Sequence, residues 1–121
     1  VNIVRNANAE DSVLITSFEL PLIDKVKLLT TEIKTGLIFY FMPSYDIMNM
    51  QHPVLSVHKR NVTKRFLKKA HSHGKEVHVW TVNDAEDMHQ LLELKVDNII
   101  TNFPETLYTI RTEKFIGRNQ Q

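Results

Sequence analysis

Lys75-Glu76-Val77-His78-Val79-Trp80-Thr81-Val82-Asn83-Asp84 is the stretch on which the reading of the fold turns. Gly74 stands directly before it, where a helix ending in the region of Ala70 to His73 would need a left-handed cap. Val77 to Val82 then has the β-branched and aromatic content of a strand. Asn83 or Asp84 offers a side-chain cap for a following helix, with Glu86 and Asp87 placed to meet the positive end of its dipole. The order is helix end, strand, helix start. The strand is nearly continuous in apolar residues, as strands covered on both faces are.

The same unit recurs on either side. Val13-Leu14-Ile15-Thr16-Ser17-Phe18, Gly36-Leu37-Ile38-Phe39-Tyr40-Phe41, Val54-Leu55-Ser56-Val57-His58 and Asn98-Ile99-Ile100-Thr101 are runs of the same kind. Between them lie segments with helical spacing. Leu22, Ile23, Val26 and Leu29 are expected on one face of a helix. Val62, Phe66, Leu67 and Ala70 form a second stripe with Lys64, Arg65, Lys68 and Lys69 opposite, and Met88, Leu91 and Leu92 mark a third. Pro104 suits a first helical position. Val1 to Asn8 reads as the tail of a helix, Met42 to Pro53 as a loop with one short helix, and Gly117 to Gln121 as a frayed polar end. A strand-helix unit returning about every 20 to 25 residues predicts an α/β fold with a parallel sheet. Periodicity alone fits either an open sheet or part of a (β/α)₈ barrel.

Composition narrows the chemistry. The chain has 121 residues, 42% of them hydrophobic, which is one domain at most. Fifteen basic residues against fourteen acidic ones leave a net charge of +1, so no global field argues for nucleic acid. Six basic residues do fall between Lys59 and Lys69. Four of them share a helix face with no aromatic residues interleaved, which predicts a solvated outer helix and not a nucleic-acid surface. The absence of cysteine excludes disulfides, zinc-thiolate sites and thiol nucleophiles from this chain. The longest apolar run, Gly36 to Pro43, is strand-sized and far short of the roughly 20 residues of a membrane-spanning helix. The opening Val1-Asn2-Ile3 lacks an initiator Met and does not read as a signal peptide, which predicts a partial chain.

Three segments together carry a family resemblance: Val13 to Phe18, Lys75 to Asp84 and Val96-Asp97-Asn98-Ile99-Ile100-Thr101-Asn102-Phe103-Pro104. With Glu32-Ile33-Lys34-Thr35-Gly36-Leu37-Ile38 and Ala70-His71-Ser72-His73-Gly74, their order and spacing resemble the second half of bacterial glycerophosphodiester phosphodiesterases across residues 10–107. The resemblance implies the C-terminal half of a TIM (β/α)₈ barrel, a fold of typically about 250 residues. It implies hydrolysis of glycerophosphodiesters to glycerol 3-phosphate and an alcohol by the whole protein. It also implies a divalent cation, magnesium or calcium, held by carboxylates, and two histidines as general acid and base. In the family these lie in the first half of the barrel, so no catalytic or metal-binding residue is expected in this chain. Glu32-Ile33-Lys34 resembles the family's Glu-x-Lys metal motif but follows the Ser-Phe strand where that motif precedes it, and it is not assigned. Two departures stand out: Lys95-Val96-Asp97-Asn98 where Gly-Val-Asp-Gly is usual, and Asn102 where Asp is usual. They put the turn geometry and one mouth contact in question.

Active sites of such barrels gather at the C-terminal ends of the strands. Those ends carry Ser17, Phe18, Tyr40, His58, Lys59, Trp80, Asn83, Thr101 and Asn102. Trp80 is the leading substrate-binding candidate, packing against the glycerol or alcohol, with a barrel-top core role as the competing reading. Ser17 and Phe18 are candidates for the pocket floor, against plain packing. His58 is a candidate for phosphate contact or proton transfer, against a hydrogen-bonded structural role. Lys59 and Arg60 can steer an anionic substrate or simply be solvated. His71 and His73, two apart, point to different sides of a helix and do not make a zinc pair. Asn83 is read as a helix cap, and Asp97 as lying at the stability face opposite the mouth. The competing function is a non-catalytic half-barrel that self-associates through exposed strand edges. A cytoplasmic or membrane-associated location is expected for the whole protein.

Overall fold

The computed structural model describes residues 1–43 and 46–119, with only the backbone of residues 114–119. Ser44 and Tyr45 of the expected loop, and Gln120 and Gln121 of the expected tail, lie outside the described residues. Among the described residues five helices, α1 (Asn2–Asn6), α2 (Leu20–Leu29), α3 (Lys64–Ser72), α4 (Ala85–Leu94) and α5 (Pro104–Asn119), are interspersed with five strands, and no α-helix separates the second strand from the third. The strands are β1 (Leu14–Ser17), β2 (Lys34–Phe39), β3 (Val54–His58), β4 (Glu76–Trp80) and β5 (Asn98–Ile99). One short 3-10 turn, Ile47–Asn49, lies in the loop before β3, and another, Lys59–Asn61, follows it.

All strand pairs are parallel, and their order in the sheet is β1-β2-β3-β4-β5. Spatial order equal to chain order, with no reversal, separates the two folds that periodicity left open. A doubly wound sheet reverses direction at a switch point, whereas a barrel winds in one sense.

Register divides the sheet into two faces, because side chains alternate along a strand. Leu37, Leu55 and Val77 form one row, and Phe39, Val57, Val79 and Ile99 the next. These rows are buried with Ile23, Phe66, Leu67, Ala70, Met88, Leu91 and Ile110 of the helices in one core. The opposite face carries Ile38, Ser56, His78 and Asn98 in one row and Gly36, Val54 and Glu76 in another. Gly36 is required by close approach: a Cβ there would lie 2.9 Å from the Cβ of Val54 and 3.1 Å from a methyl of Thr16.

Helix ends form as their residues dictate. Thr63 caps α3 by accepting from the Phe66 N–H at 3.0 Å. Gly74 takes φ +73° after α3, as the cap requires. Asp84, not Asn83, caps α4 by accepting from the Glu86 and Asp87 N–H groups. The α2 stripe departs from expectation. Ile23 is fully buried, but Leu22 and Leu29 are more than half exposed. The reason is position: α2 packs on β1 and β2 at the end of the sheet, and β1 has no further strand beside it among the described residues.

The N-terminal end of the sheet is pinned by polar contacts. Buried His52 joins the Thr35 hydroxyl at 2.7 Å to the Asp24 carboxylate at 2.6 Å. Buried Lys75 donates to the carbonyls of Met50 and His52, and its desolvation lowers its pKa. Asp97 accepts from the Val77 N–H and pairs with the His71 ring, both at 2.7 Å. This is the stability-face role expected for Asp97, and it gives His71 a specific partner. Lys34 pairs with Glu76 at 2.7 Å at this same end, which puts the Glu32-Ile33-Lys34 stretch away from the mouth.

Candidate functional site

At the other end of the sheet, alternation brings four rings together. His58 and Trp80 are register partners at the ends of β3 and β4. Tyr40 follows β2, and Phe18 follows β1, each on the same face by parity. The His58 ring lies 4.4 Å from Tyr40 and 5.1 Å from Trp80, centroid to centroid. Phe18 and Tyr40 each lie 6.2 Å from Trp80, Phe18 edge-on at 80°. These are favourable separations for aromatic pairs. The Trp80 Nε1–H is buried and is left without an acceptor among the described residues. Buried indole N–H groups ordinarily find a partner, which makes this donor the exception among the described side chains.

His58 is oriented from its own turn. Its Nδ1 accepts the Arg60 backbone N–H at 3.1 Å, so the neutral ring carries its proton on Nε2. Burial first, then the charges of Arg60 and Lys59, lower its pKa. The ring is therefore neutral at neutral pH and presents an Nε2–H donor. The turn is braced on both sides. Asn61 Nδ2 donates to the Tyr40 carbonyl at 2.5 Å, and Lys59 Nζ pairs with Asp87 of α4 at 3.3 Å. The guanidinium of Arg60 lies 5.0 Å from the ring centres of both Tyr40 and Phe41.

Of the four substrate-binding candidates, Phe18, His58 and Trp80 meet at the mouth. Ser17 does not join them. It pairs in register with buried Leu37, and its hydroxyl accepts the Glu19 N–H at 3.0 Å, shaping the turn into α2. Asn83 ties strand ends together instead of capping a helix. Its Oδ1 accepts from the Thr101 hydroxyl at 3.2 Å and the Asn102 N–H at 2.9 Å. Sequence reasoning placed Tyr40 at the mouth without a role and missed Phe41. The aromatic pair directly after an apolar strand was the available signal. Among the described residues, no three His, Asp or Glu side chains come together in a way that could hold a metal ion.

A parallel sheet wound in one sense, with helices on one face and an aromatic cluster at its C-terminal end, defines the chain as part of a (β/α)₈ barrel of the TIM type. The sequence profile of the Glycerophosphoryl diester phosphodiesterase family matches residues 1–106, and the chain belongs to that family. It is 27% identical over 113 residues to a glycerophosphodiester phosphodiesterase of Caldanaerobacter subterraneus subsp. tengcongensis, covering 91% of this chain and 46% of the relative. Among solved structures it resembles a glycerophosphodiester phosphodiesterase from Parabacteroides distasonis, with TM-score 0.81 and 18% identity over 93% of this chain and 49% of that one. An Oleispira antarctica phosphodiesterase, solved with the product sn-glycerol-3-phosphate, gives TM-score 0.76 and 18% identity over 91% of this chain and 49% of that one. The chain thus spans about half the length of the relatives it matches.

Proposed function

We propose that the protein containing this chain hydrolyses glycerophosphodiesters to glycerol 3-phosphate and an alcohol, and that this chain supplies the C-terminal half of the barrel and one wall of the substrate pocket. The observation that carries this reading is the unsatisfied Trp80 Nε1–H, set among Phe18, Tyr40 and His58 at the barrel mouth. In this role Trp80 and Phe18 pack against the carbon skeleton of the substrate. Trp80 Nε1 and His58 Nε2 donate to its oxygens, and Ser17 acts indirectly by holding the turn before α2. The product bound by the Oleispira antarctica protein supports the substrate class.

The chemical step in this reading needs a divalent cation, magnesium or calcium, and two histidines for proton transfer. Among the described residues no three His, Asp or Glu side chains come together to hold such an ion; in this reading the metal carboxylates and both catalytic histidines belong to the other half of the barrel. No helix among the described residues is long and apolar enough to cross a membrane, and a cytoplasmic or membrane-associated location remains part of this proposal.

The test is an assay of the 121-residue chain beside its full-length parent on glycerophosphodiesters with magnesium or calcium, following release of glycerol 3-phosphate. An active parent and an inert chain support the division of labour. A chain that turns over substrate alone and is stopped by a chelator overturns it, and an inert parent overturns the activity itself.

A second reading, a half-barrel that self-associates, rests on the two end strands. β1 and β5 each have a neighbour on one side only among the described residues, and Leu14, Phe18, Ile100 and Phe103 are exposed there. A monomer in sedimentation velocity at high concentration would count against it.

A further inference from the structure

One end of the aromatic wall, Tyr40 with the adjoining Phe41, already lies against a cation. The Arg60 guanidinium covers both Tyr40 and Phe41, 5.0 Å from each ring centre. Exposed aromatic faces of this kind otherwise receive quaternary ammonium groups. The backbone of Arg60 is anchored beside these rings. Its backbone N–H is held by His58 Nδ1, and the next residue, Asn61, is fastened to the Tyr40 carbonyl. Its charge is also uncompensated. Lys59 is paired with Asp87, whereas Arg60 has no carboxylate partner among the described residues. The charge reaches into the site, where it helps to lower the pKa of His58.

We propose that Arg60 sets the substrate preference of this mouth, favouring glycerophosphodiesters whose alcohol is an uncharged or anionic polyol and disfavouring those of choline or ethanolamine. The inference rests on the proposed phosphodiesterase function and deepens it. Attraction of Arg60 to the phosphate cannot produce this preference, because every glycerophosphodiester carries the same phosphate. Only the charge on the alcohol differs, and a cationic alcohol lying against this wall meets a like charge and finds the two ring faces covered.

The experiment compares glycerophosphoglycerol with glycerophosphocholine as substrates of the full-length protein, in the wild type, Arg60→Gln and Arg60→Lys. The wild type is expected to favour glycerophosphoglycerol by about fivefold to tenfold in kcat/KM. Arg60→Gln brings the two substrates close together, chiefly by lowering KM for glycerophosphocholine, and Arg60→Lys, which keeps the charge, retains most of the preference. A wild type that favours glycerophosphocholine overturns the inference. So does an Arg60→Gln variant that loses the same factor on both substrates, since that is the mark of a phosphate contact. If the wild type hydrolyses neither substrate, the phosphodiesterase reading fails and this inference fails with it.

Discussion

His58 and Trp80 face each other across the ends of β3 and β4, with ring centres 5.1 Å apart and planes at 85°. The pair is the midpoint of the aromatic wall: Tyr40 and Phe18 flank it. Each ring also presents one N–H that no described protein atom uses, the His58 Nε2–H by tautomer and the Trp80 Nε1–H by burial without an acceptor.

The Trp80 donor can be separated from its ring. Trp80→Phe keeps an aromatic side chain and deletes the N–H. A hydrogen bond to an incoming oxygen is worth about 1 kcal/mol, so the variant is expected to raise KM for a glycerophosphodiester by roughly fivefold to tenfold in the full-length enzyme. Thermal stability should change little, because the lost donor had no partner to begin with. Trp80→Ala also removes the contacts to Phe18, Tyr40 and His58 and should lower Tm. Steady-state kinetics and calorimetry check both. An unchanged KM in Trp80→Phe would refute the donor role.

The protonation of His58 gives a second prediction. Its folded pKa lies below the ordinary histidine value of 6.5, through burial first and then through Arg60 and Lys59. The unfolded chain therefore takes up the proton at higher pH than the folded one. Stability is unaffected well above pH 6.5 and falls as the pH drops through that value toward the folded midpoint. Proton-detected titration of the His58 ring should show a midpoint below 6.5, and Arg60→Gln should move it part of the way back. Recovery should be incomplete because burial, the leading cause, remains. A midpoint unmoved by Arg60→Gln would deny the charge coupling.

The strands and most helix boundaries were legible in the sequence because they rest on local signals. Val54 to His58 and Pro104 fall where expected. So does Gly74, whose left-handed φ is a single-residue property. What was not legible depends on neighbours distant in the chain. Leu22 and Leu29 carry a helical stripe, yet their burial depends on what flanks α2 at the end of the sheet. Asn83 and Asp84 are equally good caps by type, and only the approach of Thr101 and Asn102 decides which one is diverted to the strand ends. Ser17 and Phe18 differ by one position, and strand parity alone sends the first toward the helix layer and the second to the mouth. The stacking of Arg60 was invisible because six basic residues nearby made a solvated charge the default.

Lys95 tests the turn that departs from the family pattern. It ends α4 at φ 63° and ψ 45°, a left-handed conformation in which a side chain costs roughly 1–2 kcal/mol. The Lys95 and Val96 N–H groups still close the helix end on the Leu92 and Leu91 carbonyls. The geometry that glycine would supply is thus kept, at the expense of strain. Lys95→Gly is expected to relieve it, offset in part by the greater freedom of glycine in the unfolded chain, for a net gain of about 0.5–1 kcal/mol. Denaturant melts of the full-length protein check this, and a loss of stability would mean that the lysine side chain makes a compensating contribution.

Asp97 offers the sharpest separation of stability from function, because it lies at the end of the sheet away from the aromatic wall. One oxygen, Oδ2, accepts the Val77 N–H that begins the strand leading to Trp80 and also meets the His71 ring of α3, each at 2.7 Å. One carboxylate thus joins the start of β4, the end of α3 and the turn before β5. Asp97→Ala leaves the Val77 N–H without that acceptor and should cost about 1–3 kcal/mol, read as a Tm lowered by several degrees. Asp97→Asn keeps a carbonyl oxygen for the Val77 N–H and loses the charge that His71 faces, so it should recover most of the loss if the backbone bond dominates. The carboxylate side chain is about one-third exposed, so solvent screens its contact with the His71 ring and the backbone bond is the stronger partner. Both variants should retain KM at temperatures where they are folded. A KM raised several-fold in either one would mean that the two ends of β4 are coupled, and that the wall at Trp80 depends on how the strand is anchored at Val77.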